Sequence, residues 1–306
     1  MNWDWQGVMP ALTTKFDAQD WLDLELFSVN VKAQLDAGVS GIILGGTLGE
    51  ASTLTAKEKE RLLSHTLELV DGQVPVILNI AEGSTNEAVE VAQKAEELGA
   101  QGLMVLPPMR YVPTREEVVQ YFQDIAKSTR LPIMIYNNPV DYKVEVSLSQ
   151  LDILLKEPNI QAIKESTRDI SNVTRYAAAF GERLKVLTGV DTLALESLVM
   201  GAHGWVAGLV CAFPRETVAI LSLAKAGRLE EARAIYRWFL PLLELDINPQ
   251  LVQNIKLAES LVGLGSEHVR KPRMPLMGEE RDRVLSVIKE GLAKRPELPE
   301  YHSLLQ

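Results

Sequence analysis

Short apolar runs recur along the first two thirds of the chain, and each run is followed by a segment with helical periodicity. Eight of these runs predict β-strands, at residues 7–14, 41–45, 74–80, 102–106, 132–137, 160–165, 185–188 and 204–207. The segments between them, for example 57–70 and 115–128, place apolar residues at i, i+3, i+4 and i+7, which is the spacing of an amphipathic helix. Strands that alternate with helices form a parallel sheet, because each helix crosses back before the next strand begins.

The number of units decides between two parallel-sheet folds. The strand and helix units continue to Gly227 without a break in composition that would mark a linker. We therefore predict an α/β fold, a (β/α)8 TIM barrel in residues 1–227, rather than an open doubly wound sheet. Beyond Gly227, helical periodicity without intervening strands predicts a C-terminal helical extension, residues 228–306, packed on the barrel. The predicted helices there are 229–245, 249–262 and 279–293, the first with a kink or break at Pro241.

Capping boxes mark where four of the predicted helices begin. In each, a Ser or Thr stands three residues before a Glu or Gln, so that two backbone N–H groups find side-chain acceptors. These boundaries therefore follow from the local sequence. The pairs are Thr55 with Glu58, Ser84 with Glu87, Thr114 with Glu117, and Ser147 with Gln150.

Charge argues against several classes of protein. The 41 Asp and Glu residues outnumber the 31 Lys and Arg residues, for a net charge of -10, which makes binding to nucleic acid or to a membrane surface unfavourable. No apolar run is long enough to predict a transmembrane segment. The four His residues are scattered without ligand spacing, so we expect no metal site.

Cysteine content and the N-terminal segment bear on the cellular compartment. The chain has one cysteine, Cys211, which rules out an intrachain disulfide and favours a reducing compartment. The first residues, M-N-W-D-W-Q, lack the basic and apolar blocks of a secretory signal. Both features predict a cytoplasmic protein.

In a barrel of this kind, functional residues lie at the carboxyl ends of the strands and in the loops that follow. This rule selects Lys164, Tyr136, Thr47 and the segment 189–192. Lys164 ends an apolar run, and burial there would lower the pKa of its amine and make it nucleophilic. The alternative is a lysine at a strand end that points into water or pairs with a carboxylate. Tyr136 either packs in the core or shuttles protons beside the amine.

The stretch G-G-T-L-G-E, residues 45–50, joins the second predicted strand to its helix. It supplies free backbone N–H groups and the hydroxyl of Thr47, which suit an anion such as a carboxylate. A tight structural turn is the alternative explanation.

Two other charged residues are weaker candidates. Lys15 follows the first strand in a polar setting, and we rank it below Lys164 as a nucleophile. Glu165 should point to the face opposite Lys164, because side chains alternate along a strand, and is predicted to be a structural partner.

Three motifs in one order, G-G-T-L-G-E, Y-N-N-P and I-K-E-S-T, resemble those of the dihydrodipicolinate synthase and N-acetylneuraminate lyase family. The resemblance covers about residues 7–227, and the helical C-terminal segment is also typical of the family. It implies a (β/α)8 barrel that is commonly tetrameric and forms a lysine Schiff base on a 2-oxo acid, without a metal or an organic cofactor. The partners it implies are a small 2-oxo acid substrate and other copies of the same chain.

Carried over by position, the resemblance makes Lys164 the Schiff-base lysine and Tyr136 the proton shuttle. It makes Thr47 the hydroxyl that relays protons and helps to hold the substrate carboxylate, with the backbone of Leu48 in the same site. An iminium at Lys164 would withdraw electrons from a neighbouring bond and so ease its cleavage.

Departures from the family pattern concern the substrate. Leu48 stands where members with the lysine-biosynthetic activity carry a second Thr, and Asp141 stands where they carry an arginine. Pro108 and Met109 replace a tyrosine pair, which leaves Tyr111 as the nearest phenol. Without the arginine a bidentate clamp for a carboxylate is lost, so we expect that dihydrodipicolinate synthesis is not the activity.

The activities that remain within the family are retro-aldol cleavage, dehydration and deamination. Asp191, beside Gly189 after strand seven, could bind a substrate hydroxyl or amine, and Asp141 lies at the position of the lost arginine. These residues favour a small hydroxylated 2-oxo acid or cyclic imino acid, with 4-hydroxy-1-pyrroline-2-carboxylate deamination as the named candidate. Two alternatives stay open: a barrel that binds a 2-oxo acid without catalysis, and a metal-dependent aldolase or hydrolase, against which the scattered His residues argue.

Overall fold

Eight parallel strands form the centre of the computed structural model, which describes residues 3–304. Each lies within its predicted segment, so the eight strand predictions are confirmed. The strands are β1 (Gly7–Pro10), β2 (Ile42–Leu44), β3 (Val76–Ile80), β4 (Gly102–Val105), β5 (Ile133–Asn137), β6 (Ile160–Glu165), β7 (Lys185–Thr188) and β8 (Gly204–Ala207).

The first strand is shorter than predicted and ends at Pro10. Beyond it, the hydroxyl of Thr13 donates to the carboxylate of Glu259 (2.6 Å), and the hydroxyl of Thr14 donates to the carbonyl of Gly49 (2.7 Å). These contacts with other elements take the place of strand pairing, because the chain has already reached the end of the barrel.

The strands close into a ring. Hydrogen bonding follows the order β1-β8-β7-β6-β5-β4-β3-β2, and every pair is parallel. A parallel bridge between Ala11 and Ile43 joins the two ends of this order, and the N–H of Leu12 donates to the carbonyl of Ile43 (3.0 Å). The predicted (β/α)8 barrel is therefore confirmed, and the carboxyl ends of all its strands meet at one face.

Helices alternate with the strands and continue after the last one. Among the described residues, no helix combines the length and apolar character that crossing a membrane requires. The helices are α1 (Leu24–Ala37), α2 (Ala56–Val70), α3 (Thr85–Leu98), α4 (Arg115–Ser128), α5 (Pro139–Tyr142), α6 (Leu148–Leu154), α7 (Ser171–Phe180), α8 (Ala194–Val199), α9 (Pro214–Lys225), α10 (Leu229–Leu243), α11 (Leu251–Leu261) and α12 (Gly278–Ala293).

Three of the four predicted capping boxes are complete, at Thr55, Thr114 and Ser147. At the fourth, the hydroxyl of Ser84 accepts from the N–H of Glu87, but the carboxylate of Glu87 bonds to the backbone N–H that precedes Ser84. Helix α10 continues through Pro241, so the predicted break is absent there.

Two buried ion pairs join the extension to the barrel. The Nζ of Lys15 lies 2.8 Å from Glu259 Oε1, and the Nζ of Lys256 lies 2.5 Å from Glu50 Oε1. Since a buried charge is costly unless it is paired, these contacts hold α11 in one position on the barrel. The division into residues 1–227 and 228–306 stays a prediction.

Candidate active site

A cavity of about 400 Å³ opens at the carboxyl ends of the strands. Its wall combines the ends of β5 and β6, the loops after β2, β7 and β8, and part of the extension. Of the residues singled out from the sequence, those on this wall are Lys164, Tyr136, Thr47, Leu48, Gly189 and Asp141. The ionisable side chains on the wall are Tyr136, Asp141, Tyr142, Lys164, Arg168 and Asp246.

Lys164 is buried near the end of β6, with 7% of its surface exposed. Tyr136 is its partner across the strand pair, and the lysine Nζ lies 4.0 Å from the centroid of the tyrosine ring. Among residues 3–304, Lys164 makes no ion pair with a carboxylate. Burial lowers the pKa of its amine, which favours the neutral, nucleophilic form.

Lys15, the rival amine, is also buried but differs in its partners. Its Nζ donates to Glu259 Oε1 (2.8 Å) and shares a short hydrogen bond with the hydroxyl of Thr13. Lys15 does not line the cavity. Lys15 therefore serves the ion pair that anchors the extension.

Three hydroxyl-bearing side chains meet beside Lys164. The hydroxyls of Thr47 and Tyr142 share a short hydrogen bond, and the ring of Tyr142 packs edge-on against Tyr136 with centroids 5.7 Å apart. Burial raises the pKa of Tyr136 to about 12 and that of Tyr142 above its usual range. Both phenols therefore carry their protons at neutral pH and can donate them to a reacting group.

Tyr142 was not identified from the sequence, which pointed instead to Tyr111. The side chain of Tyr111 is 57% exposed and does not line the cavity. Tyr142 lies in the short helix α5, directly after the Y-N-N-P motif. Its position in a loop that follows a barrel strand was the signal that could have selected it.

The turn after β2 presents Thr47 and Leu48 to the cavity. The side-chain amide of Asn79 donates to the carbonyl of Gly45 (2.9 Å) and holds the start of this turn. Within the described part of the chain, the backbone N–H groups of Thr47 and Leu48 donate to no protein acceptor. Two adjacent free donors of this kind suit a carboxylate.

Gly189 allows Lys164 to reach the cavity. A Cβ at this position would lie 2.5 Å from the Cε of Lys164 and 2.2 Å from the Oγ of Ser166. Real atoms do not approach so closely, so any larger residue here would displace the lysine. The role of Gly189 in the geometry is thus to leave room for the amine.

Asp191 is placed differently from the expectation that it contacts the substrate. It is fully buried, and its carboxylate accepts hydrogen bonds from the indole N–H of Trp205 (2.8 Å) and the backbone N–H groups of Gly208 (3.2 Å) and Leu209 (2.9 Å). It does not line the cavity, so direct binding of a substrate hydroxyl or amine does not agree with its position. The 3₁₀ turn that begins at Asp191 directs its side chain toward the loop after β8, which the carboxylate fixes in place.

An arginine that the sequence analysis did not select lies at the mouth of the cavity. The Nη2 of Arg168 is 3.9 Å from Asp141 Oδ1, and both side chains are about half-exposed. Arg168 has a φ of 64°, a left-handed conformation that few residues other than glycine adopt. Asn138 orients Asp141 by donating to its Oδ2 (2.7 Å). Arg168 and Asp141 therefore face each other from two different loops at the mouth of the cavity.

The extension also contributes an acidic residue, Asp246, to the cavity wall. Asp246 lies in the 3₁₀ turn Glu244–Ile247 between α10 and α11. No local motif marks it, because only the packing of the extension on the barrel brings it to the site.

A buried amine without an ion-pair partner, two protonated phenols and a turn suited to a carboxylate define a lysine Schiff-base enzyme. The amine can add to a carbonyl carbon while the phenols move protons. Among residues 3–304, no three His, Cys, Asp or Glu side chains are grouped as metal ligands would be.

Comparison with known proteins agrees with this class. The model of the dihydrodipicolinate synthetase family matches residues 4–291, and the chain belongs to this family of class I Schiff-base lyases. A 4-hydroxy-tetrahydrodipicolinate synthase from Methanococcus maripaludis is 33% identical over 268 residues, which cover 87% of this chain and 92% of that protein.

Solved structures of the same family share the fold closely. A dihydrodipicolinate synthase from Bacillus anthracis superposes with a TM-score of 0.91 at 30% identity, covering 97% of this chain and 100% of that one. A dihydrodipicolinate synthase from Acinetobacter baumannii, solved in complex with pyruvate, has a TM-score of 0.88 at 27% identity and covers 94% of this chain and 98% of that one.

Proposed function

We propose that this protein is a Schiff-base lyase that acts on a small hydroxylated 2-oxo acid or cyclic imino acid. The observation that carries the proposal is the buried amine of Lys164, which has no carboxylate partner among residues 3–304. A neutral amine can attack C2 of a 2-oxo acid, and the resulting iminium withdraws electrons from the bonds at C3 and C4. The related structure from A. baumannii, solved with the 2-oxo acid pyruvate, supports this choice of substrate class.

The other groups in the cavity have roles that follow from their positions. The free N–H groups of Thr47 and Leu48 would hold the substrate carboxylate and so place C2 against Lys164. Tyr136 would protonate the group that leaves C2 when the iminium forms, which is the oxygen of a 2-oxo acid, lost as water, or the ring nitrogen of a cyclic imino acid, released as an amine. Thr47 and Tyr142, joined by their hydrogen bond, would return protons to Tyr136.

For the particular substrate we favour 4-hydroxy-1-pyrroline-2-carboxylate, which such an enzyme would deaminate. Asp141 stands at the position where the family pattern has an arginine, and Leu48 where it has a second hydroxyl. The cavity thus has an acidic side chain, Asp141, and an apolar side chain, Leu48, where an arginine and a hydroxyl would bind an intermediate that carries a second carboxylate. A small, hydroxylated ring fits these changes.

A second candidate, 4-hydroxy-tetrahydrodipicolinate synthesis, is favoured by two observations. The relative from M. maripaludis bears that name. In addition, Arg168 brings a guanidinium to the mouth of the cavity, where it could bind a second carboxylate in place of the missing arginine.

Trapping with borohydride tests the shared step of both candidates. Incubation with pyruvate followed by reduction should add the mass of the reduced adduct to Lys164, and Lys164→Ala should take up none. Turnover of 4-hydroxy-1-pyrroline-2-carboxylate, measured as released ammonia, would then support the first candidate. Formation of 4-hydroxy-tetrahydrodipicolinate would support the second. Adduct formation without turnover across these and a panel of deoxy sugar acids would favour a barrel that only binds 2-oxo acids.

We also propose that the chain forms a homo-oligomer, a dimer or a tetramer. Tyr111 and Val112 follow β4 on a loop and are 57% and 82% exposed, an arrangement that a contact with another copy would cover. Sedimentation velocity would measure the assembly. A monomer at micromolar concentration would contradict this proposal.

A further inference from the structure

Asp246 reaches the cavity from outside the barrel. Its 3₁₀ turn, Glu244–Ile247, lies over the end of β8, and its Oδ1 would be only 2.5 Å from a Cβ at Gly208. The Cδ1 of Leu48 would be 3.0 Å from the same point. Because Gly208 has no side chain, the carboxyl of Asp246 and the Leu48 side chain share this space at the cavity wall.

One oxygen of this carboxyl has no partner in the protein. Within the described residues, Asp246 Oδ1 is buried and forms no hydrogen bond. A buried polar atom is costly when unpaired, so a native site that retains one calls for an explanation. The cavity beside it supplies one, since a bound substrate could provide the missing contact.

Charged groups face Asp246 from several elements. Lys164 on β6 and Arg168 on the loop that follows are the positive ones, and Asp191 after β7 and Asp141 on α5 are the negative ones. Burial is the largest influence on Asp246, and the nearby Asp191 adds to it, so that its pKa is raised well above the usual range. With a neutral amine at Lys164, a protonated Asp246 leaves the cavity without an uncompensated buried charge.

The chemistry that such a group can perform separates the reactions of the family. Retro-aldol cleavage needs a base that removes the proton of the C4 hydroxyl. Elimination of that hydroxyl needs an acid that protonates it as it leaves. A neutral carboxylic acid is a proton donor, so its presence favours elimination.

We propose that Asp246 is the catalytic acid that protonates the hydroxyl leaving C4 of the substrate bound to Lys164. This rests on the Schiff-base function proposed above. Tyr136 is left as a phenolate once its proton has gone to the group that leaves C2, and it then takes a proton from C3, so that the iminium becomes an enamine. The enamine electron pair then forms the C3–C4 double bond as the C4–O bond breaks. The leaving oxygen takes the proton of Asp246 and departs as water, and the carboxylate regains a proton from solvent.

Asp246→Asn tests this assignment, with Glu244→Gln as the matched control because Glu244 is exposed in the same turn. We expect Asp246→Asn to keep borohydride trapping with pyruvate and to lose roughly 10²–10⁴-fold in the rate of elimination from 4-hydroxy-1-pyrroline-2-carboxylate. Glu244→Gln should change neither quantity by more than about twofold.

The pH profile supplies a readout that a structural role would not change. An acid must be protonated to act, so the wild-type rate should fall as pH rises through the pKa of Asp246, and this alkaline limb should vanish in Asp246→Asn. Asp246→Glu should restore part of the rate together with the limb.

The outcomes separate the two proposals. An unimpaired rate in Asp246→Asn, or a persistent alkaline limb, would overturn the role of Asp246 and leave the Schiff base standing. An equal loss of trapping and turnover would also overturn it, because Asp246 would then position Lys164 instead. Trapping by the wild-type protein without turnover of the 4-hydroxylated substrate would overturn it as well. Absence of any wild-type adduct would overturn the proposed function and the acid role together.

Discussion

Lys15 and Lys164 are both buried lysines on the side of the barrel where the strands end, Lys15 after β1 and Lys164 near the end of β6, yet their surroundings differ in one respect. Lys15 has Glu259 and Thr13 as partners, whereas Lys164 has an aromatic ring on one side and the cavity on the other. Burial alone therefore does not make a lysine nucleophilic. What matters is whether a carboxylate contacts the buried amine, because burial without such a contact favours the neutral, nucleophilic form.

The two lysines also serve different parts of the molecule. The pair between Lys15 and Glu259 attaches the extension to the barrel, and Lys256 with Glu50 does the same nearby. Once attached, the extension brings Asp246 to the cavity that holds Lys164. The paired lysine thus supports the architecture that the unpaired lysine uses.

The largest expected effect comes from removing the unpaired lysine. Lys164→Met should lower turnover roughly 10⁴–10⁶-fold, because the nucleophile is lost. Its stability should be unchanged or improved, since an apolar side chain replaces a buried amine without an ion pair. Activity assays and urea unfolding measure the two quantities, and a variant that kept activity would place the nucleophile elsewhere.

The paired lysine should behave in the opposite way. Lys15→Met leaves the carboxylate of Glu259 buried without its cation, which should lower the free energy of unfolding by about 3–5 kcal/mol. The double variant with Glu259→Leu should recover most of that loss. Urea unfolding measures the change, and trapping of pyruvate by the folded fraction should persist. A loss of trapping in folded Lys15→Met would remove the distinction between the two lysines.

The next largest effect concerns the proton relay formed by Tyr136, Tyr142 and Thr47. Tyr142→Phe removes the partner of the Thr47 hydroxyl and should reduce turnover roughly 10²–10⁴-fold, the usual contribution of a proton-transfer group. Tyr111→Phe should leave the rate of the same assay nearly unchanged, because its side chain does not reach the cavity of its own chain. The reverse result would assign the relay to Tyr111.

A substitution at Gly189 tests whether the side chain of Lys164 needs the space that this glycine leaves. Gly189→Ala would push the side chain of Lys164 aside and should cost on the order of 10²-fold in turnover, as small misplacements of a reacting group do. Gly227→Ala is a control that leaves the cavity untouched, because no atom lies near its Cβ position; its φ of 75° should lower stability, so turnover is compared per amount of folded protein. If Gly189→Ala reacted as fast as wild type, the close packing of Lys164 would not matter for catalysis.

The smallest effect is a shift, toward lower pH, of the range over which the rate of adduct formation rises. Because burial lowers the pKa of Lys164, adduct formation should rise with pH and level off below the ordinary lysine value of about 10.4. The native state then binds fewer protons than the unfolded state between the two pKa values, so this group also makes stability increase with pH in that window. The rate of borohydride trapping, measured as a function of pH, checks this prediction. A rate that rose only near the ordinary lysine pKa would mean that Lys164 is solvated.

Local patterns were sufficient for the elements that carry the site. The eight strands follow from apolar runs and turn residues, and the capping boxes at Thr55, Thr114 and Ser147 follow from contacts between residues three apart. The placement of Lys164 at the end of β6 needed only the strand count and the rule for barrel mouths. By contrast, the partners of Asp191 come from β8 and its loop, so the side chain that the sequence assigned to the substrate is used inside the fold.

The sequence by itself determined the barrel, the family and the strand-end positions of Lys164, Tyr136 and Thr47, because each depends on residues close together in the chain. Only the tertiary structure decided which buried lysine lacks an ion-pair partner, which phenol meets Thr47, and that Asp246 joins the cavity. These features depend on contacts between residues far apart in sequence. Such contacts set burial, charge pairing and hence pKa, and no local pattern encodes them.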